Sequence, residues 1–253
     1  MTAGDGPDDL ADGLTVALGQ PVKTIRKCET FLAEVIGAAL ERDPGDKVRS
    51  RNLTAKLLTR IMRDNRCAAV LSVTGYAVQA TTLVASVFEV AFTVGYIRDE
   101  VDRANEWWNH EDPTRPFKGV KHMIQDVIRR YGRHDEAAIN SKYLIYQQLC
   151  LAKHAHPDVE RVFGIEEDEG RSTLTAGPIA NDASIRMSWF ALTHAAGLAT
   201  VGAYPVIEHY VAAERQASLG SLLREISKAV DKQNQHALES GWDTDPHPGQ
   251  WKL

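Results

Sequence analysis

Apolar residues recur with the period of an α-helix along most of this chain. The segment GVKHMIQDVIRRYG shows the pattern most clearly, because its apolar residues follow an i, i+3, i+4, i+7, i+8, i+11 series and a glycine follows as a stop. These residues are Val120, Met123, Ile124, Val127, Ile128 and Tyr131. Such a stripe buries one face of an amphipathic helix. Its repetition predicts an all-α fold.

Similar patterns predict helices near residues 21–41, 47–72, 76–109, 135–155, 182–203 and 206–239. Glycines, prolines and a charged run favour a long loop or small hairpin near 160–180. We therefore expect a single helical bundle of about six to seven helices. The predicted bundle covers residues 21–240, between a flexible acidic tail over 1–20 and a C-terminal tail over 241–253.

The composition favours a soluble, cytoplasmic protein. A chain of 253 residues buries a substantial core without disulfides or metal ions as staples, so the fold is expected to need no cofactor. Its three cysteines lack the spacing of a zinc site or a redox pair. The start of the chain is acidic and glycine-rich, unlike a secretory signal. The net charge of -5 argues against a chain that is cationic overall, but is compatible with a local basic face.

One segment challenges the soluble interpretation. Residues 67–88, CAAVLSVTGYAVQATTLVASVF, are long and uncharged enough to be considered for a membrane span. Hydroxyl and amide side chains are nevertheless spread through the segment, and the surrounding predicted helices are amphipathic. We therefore expect a central helix that its neighbours cover, and no membrane partner.

Basic residues are concentrated in the second predicted helix. DKVRSRNLTAKLLTRIMRDNR holds seven basic residues against two acids. On a helix, four of them fall on one narrow stripe: Arg49, Lys56, Arg60 and Arg63. Such a stripe could follow the phosphates of a nucleic acid, so these four residues are the predicted nucleic-acid-binding set. The alternative is the solvated face of an ordinary amphipathic helix.

A single carboxylate, Glu89, interrupts the apolar run SVFEVAFTVGYI. An ionised group that is buried is costly unless it is paired or hydrogen-bonded. We therefore expect Glu89 to be largely buried and to bind a histidine or basic side chain, with His154 or His156 as the preferred partner. Such a pair would act as a polar clamp between helices, or as a site in which the carboxylate orients a histidine.

The helix YLIYQQLCLAKHAHPD is the second candidate for chemistry. Tyr143, Tyr146, Cys150 and His154 recur at spacings of three and four, so the imidazole continues a face that begins with two phenols. Together with Lys153, histidines at such a helix end could act as acid and base near neutral pH. The alternative is that a histidine on a mainly apolar face is part of the core.

The acidic run RDEVDRANEWWNHEDP is the third candidate. Asp99, Asp102 and Glu106 lie on one side of a helix, which superficially suits a hard cation. Pairing with neighbouring arginines is the better account, so no metal site is predicted. Trp107 and Trp108 are predicted to be packing anchors rather than stacking platforms for bases.

The segments TGYAVQATTLVASVFEVAFTVGYI, EWWNHEDP, YLIYQQLCLAKHAHP and AGPI together resemble a group of bacterial all-helical proteins. That group is similar to the higher-eukaryote-and-prokaryote nucleotide-binding (HEPN) superfamily of helical bundles. The resemblance covers roughly residues 50–210, with Glu89 and His156 at matching positions. HEPN proteins are commonly toxins or anti-phage effectors that cleave RNA without metal, through an Arg-x4-6-His motif. Members that lack the motif serve as antitoxin, binding or scaffold domains.

This chain departs from that motif. Glutamine, leucine and cysteine occupy the positions that would carry the arginine for His154 or His156. We therefore expect an intracellular helical binding or effector protein, in a bacterial defence or stress system, that acts on RNA or on a partner protein.

Two alternatives stay open beside this expectation. In a metal-independent ribonuclease, His154 and His156 would exchange protons with the RNA, Lys153 would stabilise phosphate charge and Glu89 would hold a histidine. In a purely structural module, the bundle would serve to form homo-oligomers.

Overall fold

A computed structural model describes residues 7–112, 116–130, 135–157, 159, 165–168, 171–174 and 177–242. These residues form an all-α bundle, as the periodicity predicts. Its helices are α1 Pro7–Ala17, α2 Gly19–Glu41, α3 Val48–Val73, α4 Ala77–Ile97, α5 Val101–Trp108, α6 Val120–Arg130, α7 Glu136–Lys153, α8 Asp182–Tyr210 and α9 Ala213–Glu239. A short 3-10 turn, Gly45–Lys47, precedes α3. The strands β1 Ile165–Asp168 and β2 Arg171–Leu174 pair antiparallel as a small hairpin, where a loop or hairpin was expected.

Helices α4 and α8 form the centre of the bundle. In α4, 15 of 21 residues are buried, so nearly its whole circumference packs against neighbouring helices. At Gly202 on α8, a side-chain methyl would lie 3.0 Å from Ile61 Cδ1 of α3 and 3.6 Å from the Ala91 Cα of α4. The glycine thus permits the close approach of these three helices.

Length and composition alone would allow α4 and α8 to cross a membrane. In the structure, 78% of the most apolar window of α4 and 67% of that of α8 are buried against other helices. The core helix of a soluble protein satisfies the same criterion. The two apolar helices are therefore weak evidence for a membrane span.

The helix predicted over residues 76–109 is two helices. Helix α4 ends at Ile97, and α5 begins at Val101. Arg98, the residue that caps α4, has φ 46 and ψ -122. A positive φ is unfavourable for a residue with a side chain, so tertiary contacts must hold it. Here the Tyr210 hydroxyl donates a hydrogen bond to the Arg98 carbonyl at 3.0 Å. Apolar periodicity contains no signal for such a break.

The break predicted between the helices over residues 182–203 and 206–239 lies farther along the chain, after Tyr210. Helix α8 continues through Pro205 to Tyr210, and α9 begins at Ala213. Proline removes one helical hydrogen bond, but Pro205, Val206 and Ile207 are all buried, and their packing offsets that loss.

The predicted flexible tail over residues 1–20 requires a correction. Pro7–Ala17 form α1 and Gly19 begins α2. Leu14 and Leu18 are fully buried and attach this segment to the bundle. Residues 1–6, and residues 243–253 of the predicted C-terminal tail, lie outside the described part of the chain.

Candidate functional site

The carboxylate of Glu89 joins α4 to α7. Its Oε1 accepts hydrogen bonds from the Tyr146 hydroxyl and from Lys153 Nζ, each at 2.8 Å. Tyr146 and Lys153 are seven residues apart and therefore lie on the same side of α7. The prediction of a basic partner for Glu89 is confirmed. The prediction that Glu89 is largely buried is wrong, since its side chain is 34% exposed.

The predicted histidine partner of Glu89 is also wrong. Helix α7 ends at Lys153, and His154 is an exposed cap residue. Ala155 then has φ 48, which turns the chain, and His156 is exposed as well. Of the four residues predicted to be catalytic, the structure joins Glu89 and Lys153 and does not bring either histidine to the carboxylate.

Burial raises the pKa of Tyr146, and hydrogen bonds with Cys150 and Glu89 raise it further. The phenol therefore stays protonated and donates to the carboxylate. Burial likewise raises the pKa of Cys150, so this thiol is a poor nucleophile at neutral pH. The cluster is a polar link between helices that lacks an activated group.

The predicted basic stripe lies on the exposed side of α3. Arg49, Lys56, Arg60 and Arg63 are all exposed. The Arg49 guanidinium donates to Asn105 Oδ1, and Arg60 donates to Ser86 Oγ at 2.8 Å. Arg60 also contacts Asp64 at 3.4 Å, whereas the other three cations form no ion pair among the described residues. The stripe thus retains a net positive charge, and neutral neighbours position two of its side chains.

An exposed tryptophan stands beside this stripe. Trp107 is half-buried against the core, as predicted, because it faces the bundle from the end of α5. Trp108, one residue later, points to a different side of the helix and is 56% exposed. Lys56 Nζ lies 5.7 Å from its ring centroid, within the range of a cation–π contact. The prediction that Trp108 is a packing anchor is therefore wrong.

Two of the three candidate carboxylates of the acidic run, Asp99 and Glu106, make ion pairs. Lys47 Nζ donates to Asp99 Oδ2 at 2.5 Å, and Lys118 contacts Glu106 at 2.7 Å. Burial disfavours the ionised form of Asp99, but the hydrogen bond and the positive charge of Lys47 outweigh burial and lower the pKa of the carboxyl. Pairing therefore accounts for Asp99 and Glu106, but their close partners are lysines from other segments, and Arg98 lies 3.8 Å from Asp99. Asp102 forms no ion pair among the described residues, and those residues include no group of three or more side chains suited to a metal ion.

A polar network that sequence reasoning missed follows the end of α4. Arg98 Nε donates to His209 Nε2 at 2.9 Å, and His209 Nδ1 lies 3.7 Å from the Asp99 carboxylate. Burial lowers the pKa of His209, so its neutral imidazole accepts the hydrogen bond that Arg98 donates. These contacts tie the ends of α4 and α8 together. Arg98 and His209 are 111 positions apart in the sequence, so no local pattern predicts their contact.

Comparisons with known proteins identify no relative. No protein-family profile matches the chain, and neither a curated protein nor a solved structure gives a significant match. The resemblance to HEPN proteins therefore stays a prediction, and the function is argued from the geometry of the chain itself.

Proposed function

We propose that this protein binds single-stranded RNA along the exposed face of α3. The observation that carries the proposal is the position of Trp108 beside the basic stripe, with Lys56 against its ring. Proteins that bind single strands combine a row of cations for the phosphates with aromatic rings on which bases stack. A solvated helix face alone would account for the arginines, but not for the exposed tryptophan next to them.

The dimensions of the stripe support a strand rather than one phosphate group. Arg49 and Arg63 are fourteen positions apart on a continuous helix, a rise of about 21 Å. Lys56 and Arg60 lie between them on the same side. Cations distributed in this way can contact several successive phosphates of an extended backbone.

The ribonuclease alternative gains no support from this geometry. It needs a histidine that can exchange protons at a site with Glu89, and the carboxylate instead binds Tyr146 and Lys153. A role in a bacterial defence or stress system, through RNA or a partner protein, stays a prediction. So do the cytoplasmic location and the formation of homo-oligomers.

A stacking variant tests the proposal. Trp108→Ala should weaken the binding of a fluorescent single-stranded RNA, measured by anisotropy, by about fivefold or more, because stacking of a base on an aromatic ring contributes ~1–3 kcal/mol. Trp108→Phe should retain most of the affinity. Leu238→Ala is the matched control, since Leu238 is an apolar residue of α9 with a similar exposure of 55%. Equal affinity of Trp108→Ala and wild type would refute the stacking role.

A further inference from the structure

A second basic surface lies on a different part of the bundle, between α2 and α9. It is a cleft of about 540 Å³ whose lining includes four lysines: Lys23, Lys27, Lys228 and Lys232. Lys23 and Lys27 are four residues apart on α2, and Lys228 and Lys232 are four residues apart on α9. Each pair therefore lies on one side of its helix, and the two pairs line the same cleft.

The charges of this cleft are not neutralised within the protein. The four lysines are exposed, and none forms an ion pair among the described residues. The lining contains one carboxylate, Glu225. Like charges four residues apart on a helix repel each other, and facing pairs add to that repulsion. The chain has a net charge of -5, so a group of unpaired cations does not follow from its composition.

The floor of the cleft is rigid and polar. Gln233 Nε2 donates to Thr24 Oγ1 at 2.7 Å, and Gln233 Oε1 accepts from Thr193 Oγ1 at 3.2 Å. The Trp189 indole N–H donates to the Gln233 carbonyl at 3.2 Å. This network joins α2, α8 and α9 below the lysines. It holds the two walls together, so the lysines line a preformed volume.

We propose that this cleft binds a small ligand that carries several phosphate groups and is held through those groups. A volume of about 540 Å³ falls within the ~300–1,000 Å³ range of small-molecule sites. The lysines of each wall are separated by about 6 Å along the helix axis, so each wall offers two charges to a compact anion. Lysine is a strongly hydrated point charge on a flexible stem, which suits phosphate oxygens without demanding one fixed geometry.

The cleft and the basic stripe are separate sites. The stripe lies on α3 beside α4 and α5, where Arg60 contacts Ser86 and Arg49 contacts Asn105. The cleft lies between α2 and α9. Binding of a compact polyphosphate therefore does not depend on the RNA-binding proposal.

Calorimetric titration with inorganic tripolyphosphate tests the inference. Wild type should bind it, and Lys27→Gln/Lys232→Gln, which removes one charge from each wall, should bind it at least tenfold more weakly. Lys27→Gln alone should weaken binding, whereas Arg26→Gln should not, because Arg26 is exposed on α2 but does not line the cleft. Absence of tripolyphosphate binding, or equal losses in Lys27→Gln and Arg26→Gln, would overturn the proposal.

Two further titrations identify the source of the phosphates. ATP should bind with an affinity similar to that of tripolyphosphate if the phosphates are recognised. Binding of ATP without binding of tripolyphosphate would overturn recognition through phosphate groups. Single-stranded RNA should bind equally to wild type and to Lys27→Gln/Lys232→Gln. A loss of RNA affinity in that variant would show that the cleft belongs to a nucleic-acid track, against the compact ligand proposed.

Discussion

The link between Glu89 and α7 allows a prediction about which of its two hydrogen bonds stabilises the fold. Tyr146 and Lys153 both donate to the same carboxylate oxygen at 2.8 Å. Tyr146→Phe removes the hydroxyl and leaves the ring packed near Phe88, whose centroid is 5.3 Å away. Lys153→Gln removes the charge and keeps a side chain of similar length. We expect Tyr146→Phe to be the more destabilising change.

The expected magnitudes follow from the exposure of each partner. A hydrogen bond to a charged group contributes ~1.5–3 kcal/mol, and partial exposure of Glu89 favours the low end, so Tyr146→Phe should cost about 1.5 kcal/mol. The side chains of Lys153 and Glu89 are each 34% exposed, and ion pairs of that kind contribute ~0.2–1 kcal/mol. For a chain of this size, 1 kcal/mol shifts the melting temperature by ~2–4 °C.

Double-mutant cycles with Glu89→Gln, followed by urea unfolding and far-UV circular dichroism, measure both couplings. The coupling of Glu89 with Tyr146 should exceed that with Lys153. Glu89→Gln should leave RNA binding unchanged, because the cluster is a structural link. A larger coupling with Lys153, or a loss of RNA affinity in folded Glu89→Gln, would refute this account of the cluster.

Two other predictions concern stability. Burial lowers the pKa of His194 from 6.5 to about 3. Between these two pH values the unfolded chain binds a proton at His194 and the folded chain does not. The free energy of unfolding should therefore fall by about 1.4 kcal/mol per pH unit as the pH drops below 6.5. Urea unfolding of His194→Gln should show a flatter pH dependence. The same pH dependence in wild type and His194→Gln would contradict the lowered pKa of His194. Gly75 has φ 85, and a Cβ there would lie 2.8 Å from the Pro178 Cβ. Gly75→Ala should therefore reduce the free energy of unfolding by about 1–3 kcal/mol and lower the melting temperature. Gly37→Ala, in α2 with open space around it, should instead stabilise by roughly 0.5–1 kcal/mol; equal effects of the two changes would contradict the backbone argument.

The parts of the fold that are set by local pattern could be predicted from the sequence. The apolar stripe that begins at Val120 depends on spacing alone, and α6 begins at Val120 as expected. The expected end of the helix, after Tyr131, lies outside the described residues. The basic stripe of α3 follows from the same geometry. The break at Arg98 depends on Tyr210, which lies more than a hundred residues away, and no local pattern could contain it.

The site predictions failed where a partner had to be chosen across the bundle. A carboxylate in an apolar run requires a donor, and this physical argument correctly indicated a basic residue for Glu89. It could not choose between Lys153 and the histidines, because the residue at which α7 ends determines which of these side chains can contact Glu89. The periodicity of seven between Tyr146 and Lys153 was visible in the sequence and favours the observed pair.

The cleft between α2 and α9 shows a different limit. The pairs Lys23 with Lys27 and Lys228 with Lys232 are each apparent as like charges four residues apart. Each pair alone is typical of a solvated helix face. Only the packing of two distant helices brings the pairs to one cleft, so the sequence contains the components of the site without their arrangement.

The salt dependence of RNA affinity tests the central claim most directly. Four cations in contact with a single strand predict a slope of log K against log salt of about -3. Arg60→Gln/Arg63→Gln should make that slope less steep by about 1.4. The control Arg26→Gln/Arg224→Gln, which removes two exposed arginines from α2 and α9, should leave the slope unchanged. The same slope in wild type and Arg60→Gln/Arg63→Gln, or no RNA binding by wild type at low salt, would contradict binding along α3.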